Sequence, residues 1–166
     1  MNVLIVVATR LEANLIISHF GLEENYPNFF ANSNKSLSVL ITGIGSQLTI
    51  LNLSFCLSKY KPDYILNLGI AGAFDSKYKI LDTFIVKSDY FGDIGFFREN
   101  LFVNLFKTKY LDQANKSLFD NGKLLINTPV PKSLDYLKTV DAVTVNIPEN
   151  LNSHDSIILE SMEGAA

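Results

Sequence analysis

Thr9-x-x-Glu12 follows directly on an apolar run, Val3–Ala8. The spacing matches a capping box, in which the glutamate reaches back to the threonine N–H and stabilises a helix start. The same carboxylate stands at the mouth of a buried strand, where it could orient a water; spacing alone favours the cap. Gly43-Ile-Gly45 joins a strand to a helix start, and free N–H groups at such a place can cradle an anion. The pattern is neither G-x-G-x-x-G nor a P-loop, so a tight turn that only glycine fits is the favoured reading. Glu160 and Glu163 flank the end of an apolar strand. The helix dipole alone explains a glutamate at a helix start, yet a carboxylate there can also accept two hydrogen bonds from the vicinal diol of a sugar. Asp89 and Asp93 lie around Gly92, and a turn by itself accounts for either of them.

The elements that must position these groups follow from the apolar pattern. Val3–Ala8 is a continuous run read as a strand buried on both faces. Thr9 opens a helix to about Phe20, with Leu11, Leu15, Ile16 and Phe20 near one face. Residues 21–35 are turn-rich, with a short strand at Phe29–Ala31. Leu37–Ile41 is a strand, and the glycine turn leads into a helix from Ser46 to about Lys59. That helix is too apolar for a one-sided surface helix and is read as buried in the domain or at a subunit interface. Tyr64–Leu68 reads as another buried strand ending in Gly69-Ile-Ala-Gly72, and Thr83–Lys87 as a further strand. Phe91–Leu101 reads as an aromatic-rich loop. Within 103–138, Leu105, Leu111 and Leu118 suggest one or two helices. Ala142–Val145 and Ile157–Leu159 read as short strands, and Glu163–Ala166 as the opening turn of a helix. Strands alternating with helices predict an α/β fold: one domain over 1–166 with a mixed, mostly parallel central sheet flanked by helices. In such sheets the site lies beyond the carboxyl ends of the strands, where Thr9–Glu12 and both glycine turns fall.

Composition narrows the function. The net charge of −3 gives no basic excess to neutralise phosphates, so neither a nucleic acid nor an anionic membrane is an expected partner. Arg10 and Arg98 are the only arginines, which argues against a site built on arginine clamps. One cysteine, Cys56, excludes an intramolecular disulfide and a cysteine-cluster metal site, and its apolar helical setting predicts a buried, inert thiol. His19 and His154 have no ligand-like spacing, so no metal is expected. The N-terminal apolar run is too short for a signal peptide, and no stretch reaches the length that spans a bilayer. A cytoplasmic protein is the expectation.

Three blocks of residues resemble the nucleosidase branch of the nucleoside phosphorylase superfamily, which includes futalosine hydrolases and methylthioadenosine/S-adenosylhomocysteine nucleosidases. They are VLIVVATRLEA (3–13); ITGIGSQLT (41–49) with PDYILNLGIAGAFD (62–75); and FGDIG (91–95) with ESMEGAA (160–166). AVTVN (142–146) is similar to futalosine hydrolases in particular. ESMEGAA and NLGIAG are specific in combination, whereas TGIG alone is not. The resemblance implies hydrolysis of the N-glycosidic bond of a purine nucleoside, most simply futalosine in menaquinone biosynthesis. Methylthioadenosine/S-adenosylhomocysteine, a phosphorylase reaction, or a silent nucleoside-binding fragment are the alternatives. No cofactor is implied, and a homodimer fits the apolar helix at 46–59.

Residue by residue, the resemblance implies that Glu12 holds the attacking water. Met162 packs on the ribose and Glu163 binds its hydroxyls. Ala8 and Ile44 line the substrate, Ile44 beside the ribose or its 5′ substituent. Gly69, Ile70, Ala71 and Gly72 form the strand-end turn beside the sugar. Three places depart from the pattern. Asn67 stands where phosphorylases commonly carry a phosphate-holding arginine. Ile70 stands where adenosine-type nucleosidases put a serine, and this suits the futalosine branch. Ile147-Pro148-Glu149 replaces a small, glycine-containing stretch near the base. The family pattern continues past the last helical turn of this sequence, so a missing C-terminal part, with the purine-contacting residue in it, is the further expectation.

Overall fold

A computed structural model describes residues 1–108, 119–148 and 159–166. The chain divides into two compact units, Met1–Ile70 with Ala166, and Ala71–Ala165.

The first unit contains β1 (Val3–Val7), α1 (Arg10–Phe20), β2 (Glu23–Tyr26), β3 (Phe29–Ala31), β4 (Leu37–Ile41), α2 (Ser46–Lys59) and β5 (Tyr64–Asn67). Its sheet runs β2-β3-β4-β1-β5. β4, β1 and β5 are parallel, and β2 and β3 add an antiparallel edge. Successive side chains of a strand point to opposite faces, and that alternation builds two cores. Ile5 and Val7 of β1 pack with Val39 and Ile41 of β4 and with Ala13 of α1. Leu4 and Val6 face the other way, joining Leu40, Phe29 and Cys56 of α2. A strand with both faces covered needs an unbroken apolar run, which is why Val3–Val7 lacks the alternation of a half-exposed strand. Cys56 is buried, its sulfur 3.6 Å from the Tyr26 hydroxyl, and burial pushes its thiol up. The expected inert thiol is what this setting produces.

The second unit contains β6 (Gly72–Ala73), β7 (Phe84–Asp89), β8 (Gly95–Arg98), β9 (Leu101–Asn104), β10 (Phe119–Asp120), β11 (Lys123–Leu125), β12 (Lys138–Thr144) and β13 (Leu159–Ser161). The sheet order is β10-β11-β7-β12-β13-β6, with β8 and β9 as a separate hairpin. β7, β12 and β13 run parallel at its centre. Val140, Ala142 and Leu159 pack with Phe84 and Val86 on one face, and Val143 and Val145 with Tyr90 and Phe74 on the other.

Several element readings are corrected. Leu11 (84% exposed), Leu15 and Phe20 do not form the packed face of α1; Ala13, Ile16 and Ile17 do. Helical spacing decides which residues share a face, and the packing against β1 and β4 decides which face is covered. Leu48, Ile50, Leu51 and Phe55 of α2 are likewise exposed, so the helix is not buried within its unit. β5 occupies a sheet edge with exposed side chains, although its run reads as buried. The aromatic segment 91–101 is no simple loop: it enters the β8–β9 hairpin, in which Phe97 and Phe102 pair directly. β12 begins four residues earlier than Ala142, at Lys138. Between 103 and 138, Leu105 lies in a single 3-10 turn and the described remainder holds β10, β11 and a second short turn; Leu111 and Leu118 lie outside the described residues. So do His154, Glu149 and the first two residues of the Ile157–Leu159 strand.

Candidate active site

In the first unit the carboxyl ends of the parallel strands carry the expected residues. Thr9 is the N-cap of α1 and Glu12 its third residue, and both halves of the capping box form. Glu12 N–H donates to the Thr9 hydroxyl oxygen. Glu12 Oε2 accepts the Thr9 N–H at 2.8 Å and the Thr9 hydroxyl at 2.7 Å. The other carboxylate oxygen, Oε1, points across to the end of β5. There it accepts the Ile70 N–H at 3.2 Å. A Cβ built on Gly69 would stand 3.3 Å from the same oxygen, so glycine leaves Oε1 its space. The two oxygens of one carboxylate therefore have different partners, Oε2 in the helix cap and Oε1 at the end of β5.

The Gly43-Ile44-Gly45 turn lies beside this point. β1 and β4 keep pairing through it: Thr42 N–H donates to the Val7 carbonyl at 2.9 Å, and Gly43 N–H to the Ala8 carbonyl at 3.0 Å. The Asn52 amide donates to the Thr42 carbonyl at 2.7 Å, tying the turn to α2. Gly45 has φ +97°, a conformation that favours glycine. Ile44 is displayed at the tip, and Ile70 is 85% exposed. Thus Ala8, Glu12, Gly69 and Ile70 are brought together by direct hydrogen bonds or adjacency, with Ile44 on the neighbouring turn.

In the second unit Gly72 pairs with Glu160 across β6 and β13. Met162 and Glu163 are half-buried on a turn after β13. What holds that turn was not marked in the sequence. Asp89, 1% exposed at the end of β7, accepts the Tyr90 N–H at 2.7 Å and the Thr144 hydroxyl at 3.1 Å. The Thr144 oxygen accepts the Ala165 N–H at 2.8 Å. Asp89 is therefore a buried strand-end group and not a turn residue. The only sequence signal was its place at the carboxyl end of an apolar strand. Asp93 is a staple: Oδ2 accepts the Ile147 N–H at 3.2 Å and Oδ1 the Asn146 amide at 3.0 Å, joining the glycine turn to the segment after β12.

Burial pushes the Asp89 carboxyl from 3.8 up to about 7, and burial, with the charge of Asp89 second, raises the neighbouring Tyr90 hydroxyl. Between 3.8 and about 7 the folded protein keeps a proton that the unfolded chain has released, so this group's contribution to stability falls as pH rises through that window. Asp89→Asn is expected to gain stability relative to wild type as pH rises across it, with a constant difference above. Urea midpoints from pH 4 to 8 measure this; a difference that stays flat would contradict it.

Among the described residues no group of histidine, cysteine, aspartate or glutamate is placed to hold a metal ion, and no helix is long and apolar enough to cross a membrane.

The fold is that of solved MTAN and futalosine hydrolase structures. The structure superposes on Chlamydia trachomatis MTAN bound to MTA with a TM-score of 0.68 and 22% identity, covering 99% of this chain and 70% of that one. It also matches a futalosine hydrolase mutant of Helicobacter pylori (TM-score 0.65, 19% identity, 99% of this chain and 80% of that one). The Helicobacter pylori MTAN with 5′-methylthioadenosine in its active site is similar at 0.66 and 21%, covering 99% and 76%. In sequence, 88 residues are 28% identical to a 5′-methylthioadenosine/S-adenosylhomocysteine nucleosidase of Maridesulfovibrio salexigens. That match spans 49% of this chain and 38% of that relative's length. No family model matches the chain.

Proposed function

We propose that the protein is a purine nucleosidase that hydrolyses the N-glycosidic bond of futalosine. The observation that carries the reading is the divided use of the Glu12 carboxylate: Oε2 is locked in the helix cap, and Oε1 is presented at the strand ends beside Gly69 and Ile70. An ionised carboxylate has about four lone-pair sites, so Oε1 can take a water in addition to the Ile70 N–H. Fixing the carboxylate before substrate arrives removes an orientation cost from the reaction.

In this mechanism Glu12 holds a water against the anomeric carbon and accepts its proton as the new C–O bond forms. The C–N bond to the purine breaks through an oxocarbenium-like sugar, and the departing base takes up a proton. Glu163 accepts hydrogen bonds from the ribose hydroxyls and Met162 packs on the sugar. Ile70 in place of a serine, and the AVTVN segment, support futalosine. The curated relative and the two MTAN structures favour a second reading, 5′-methylthioadenosine. The exposed Leu48, Leu51 and Phe55 of α2 support a homodimer as the working form.

Phosphate is not expected to accelerate cleavage, because Asn67 stands where a phosphate-holding arginine is expected in phosphorylases. The test compares kcat/KM for futalosine and 5′-methylthioadenosine with and without added phosphate. A higher value for futalosine, independent of phosphate, supports the reading. A preference for 5′-methylthioadenosine selects the second, and saturable activation by phosphate contradicts both.

A further inference from the structure

We propose that Asp89 is a positioning residue for the sugar, acting through Thr144 and against Gly164 to fix the turn that presents Met162 and Glu163. The proposal rests on the nucleosidase reading and extends it to a residue that touches no substrate.

The geometry is a chain of contacts within the second unit. The Asp89 carboxyl is held by the Tyr90 N–H and receives the Thr144 hydroxyl. Thr144 is itself clamped from both sides, its N–H donating to the Tyr90 carbonyl and its carbonyl accepting the Gly92 N–H, both at 2.8 Å. Its hydroxyl oxygen then accepts the Ala165 N–H. At the other side of the turn the Gly164 N–H donates to the Ser161 hydroxyl oxygen at 3.1 Å. A Cβ on Gly164 would fall 2.2 Å from Asp89 Oδ2 and 2.9 Å from Ser161 Oγ. The turn backbone therefore lies directly on the carboxyl, with no atom between them. Met162 and Glu163 sit between these two anchors, Ser161–Gly164 and Thr144–Ala165.

Burying a carboxyl away from water costs stability, and its partners here are an amide and a hydroxyl. A turn that needed only filling would be served by an apolar side chain without that cost. A group that both bridges to Ala165 and excludes a side chain at Gly164 instead selects one conformation of the turn. A glutamate that must meet two hydroxyls gains from such preorganisation, because the ordering is complete before binding.

The test compares wild type with Asp89→Ala and Thr144→Val, the latter removing only the bridging hydroxyl. Both are expected to raise KM for the nucleoside by about tenfold or more, with a smaller change in kcat. Both should also shrink the preference for the ribonucleoside over its 2′,3′-dideoxy analogue, a discrimination that a purely structural defect leaves in place. Amide exchange at Gly164 and Ala165 should speed up in parallel. If Asp89→Ala does not fold, Thr144→Val carries the comparison alone. An active wild type whose KM and ribose discrimination persist in the folded variants overturns the role of Asp89. A wild type that neither binds nor cleaves a purine nucleoside overturns the nucleosidase reading, and the sugar role falls with it.

Discussion

Glu12→Gln is expected to lower nucleoside turnover by about 10²–10⁴-fold, the range for loss of a positioned general base, while substrate binding stays within a few-fold of wild type. The substitution separates the helix cap from the proposed general base. Glutamine also serves at the third position of a capping box, so the reach back to the Thr9 N–H can persist and the helix start survives. What glutamine cannot do is accept a proton from water. Glu12→Ala removes the carboxylate from both places; the Thr9 hydroxyl still caps the backbone N–H of residue 12, so only the reciprocal half of the capping box is lost, at a cost of about 0.5–1.5 kcal/mol. Thermal unfolding and steady-state kinetics on the pair read the two contributions independently. Near-normal turnover in Glu12→Gln would show that capping is the only role.

The second large effect is expected at Glu163. Glu163→Ala should weaken nucleoside binding by about 1.5–3 kcal/mol, the range for hydrogen bonds to a charged group, which converts to roughly 10- to 150-fold in Kd. A 2′,3′-dideoxy nucleoside lacks the hydroxyls and should bind wild type more weakly, but it should lose little further on the variant. The two changes remove the same contact from opposite sides, so their effects must be non-additive. Full additivity in the four binding constants, measured by calorimetry, would place the diol elsewhere.

The sequence showed what depends on short-range pattern. β1, β4 and α2 were legible because strand and helix periods differ, and because glycine and Thr-x-x-Glu mark their ends. The role of Thr9 as N-cap was legible for the same reason. The hairpin of β8 and β9 was not, since Glu99-Asn100 supplies the left-handed turn without a glycine. The exposed face of α1 was misread because helical period fixes which residues share a face, not which face meets the sheet. At the candidate site, Glu12 was ambiguous in sequence and its two oxygens were found to serve two partners. The bond from Ile70 joins residues 58 apart, a separation no local pattern reports. Asp89 was read as a turn residue for a related reason: Thr144, at the end of β12, and Gly164, in the turn after β13, are far from it in the chain, and a lone aspartate before an aromatic pair reads as a turn.

Every role proposed for these residues depends on cleavage of a purine nucleoside by water. Incubating the purified protein with futalosine, and separately with 5′-methylthioadenosine, in phosphate-free buffer tests it most directly, with products separated by chromatography and identified by mass. Free purine and the free sugar are expected in equal amounts, over many turnovers. Both nucleosides remaining intact, or a sugar 1-phosphate forming only when phosphate is restored, would contradict it.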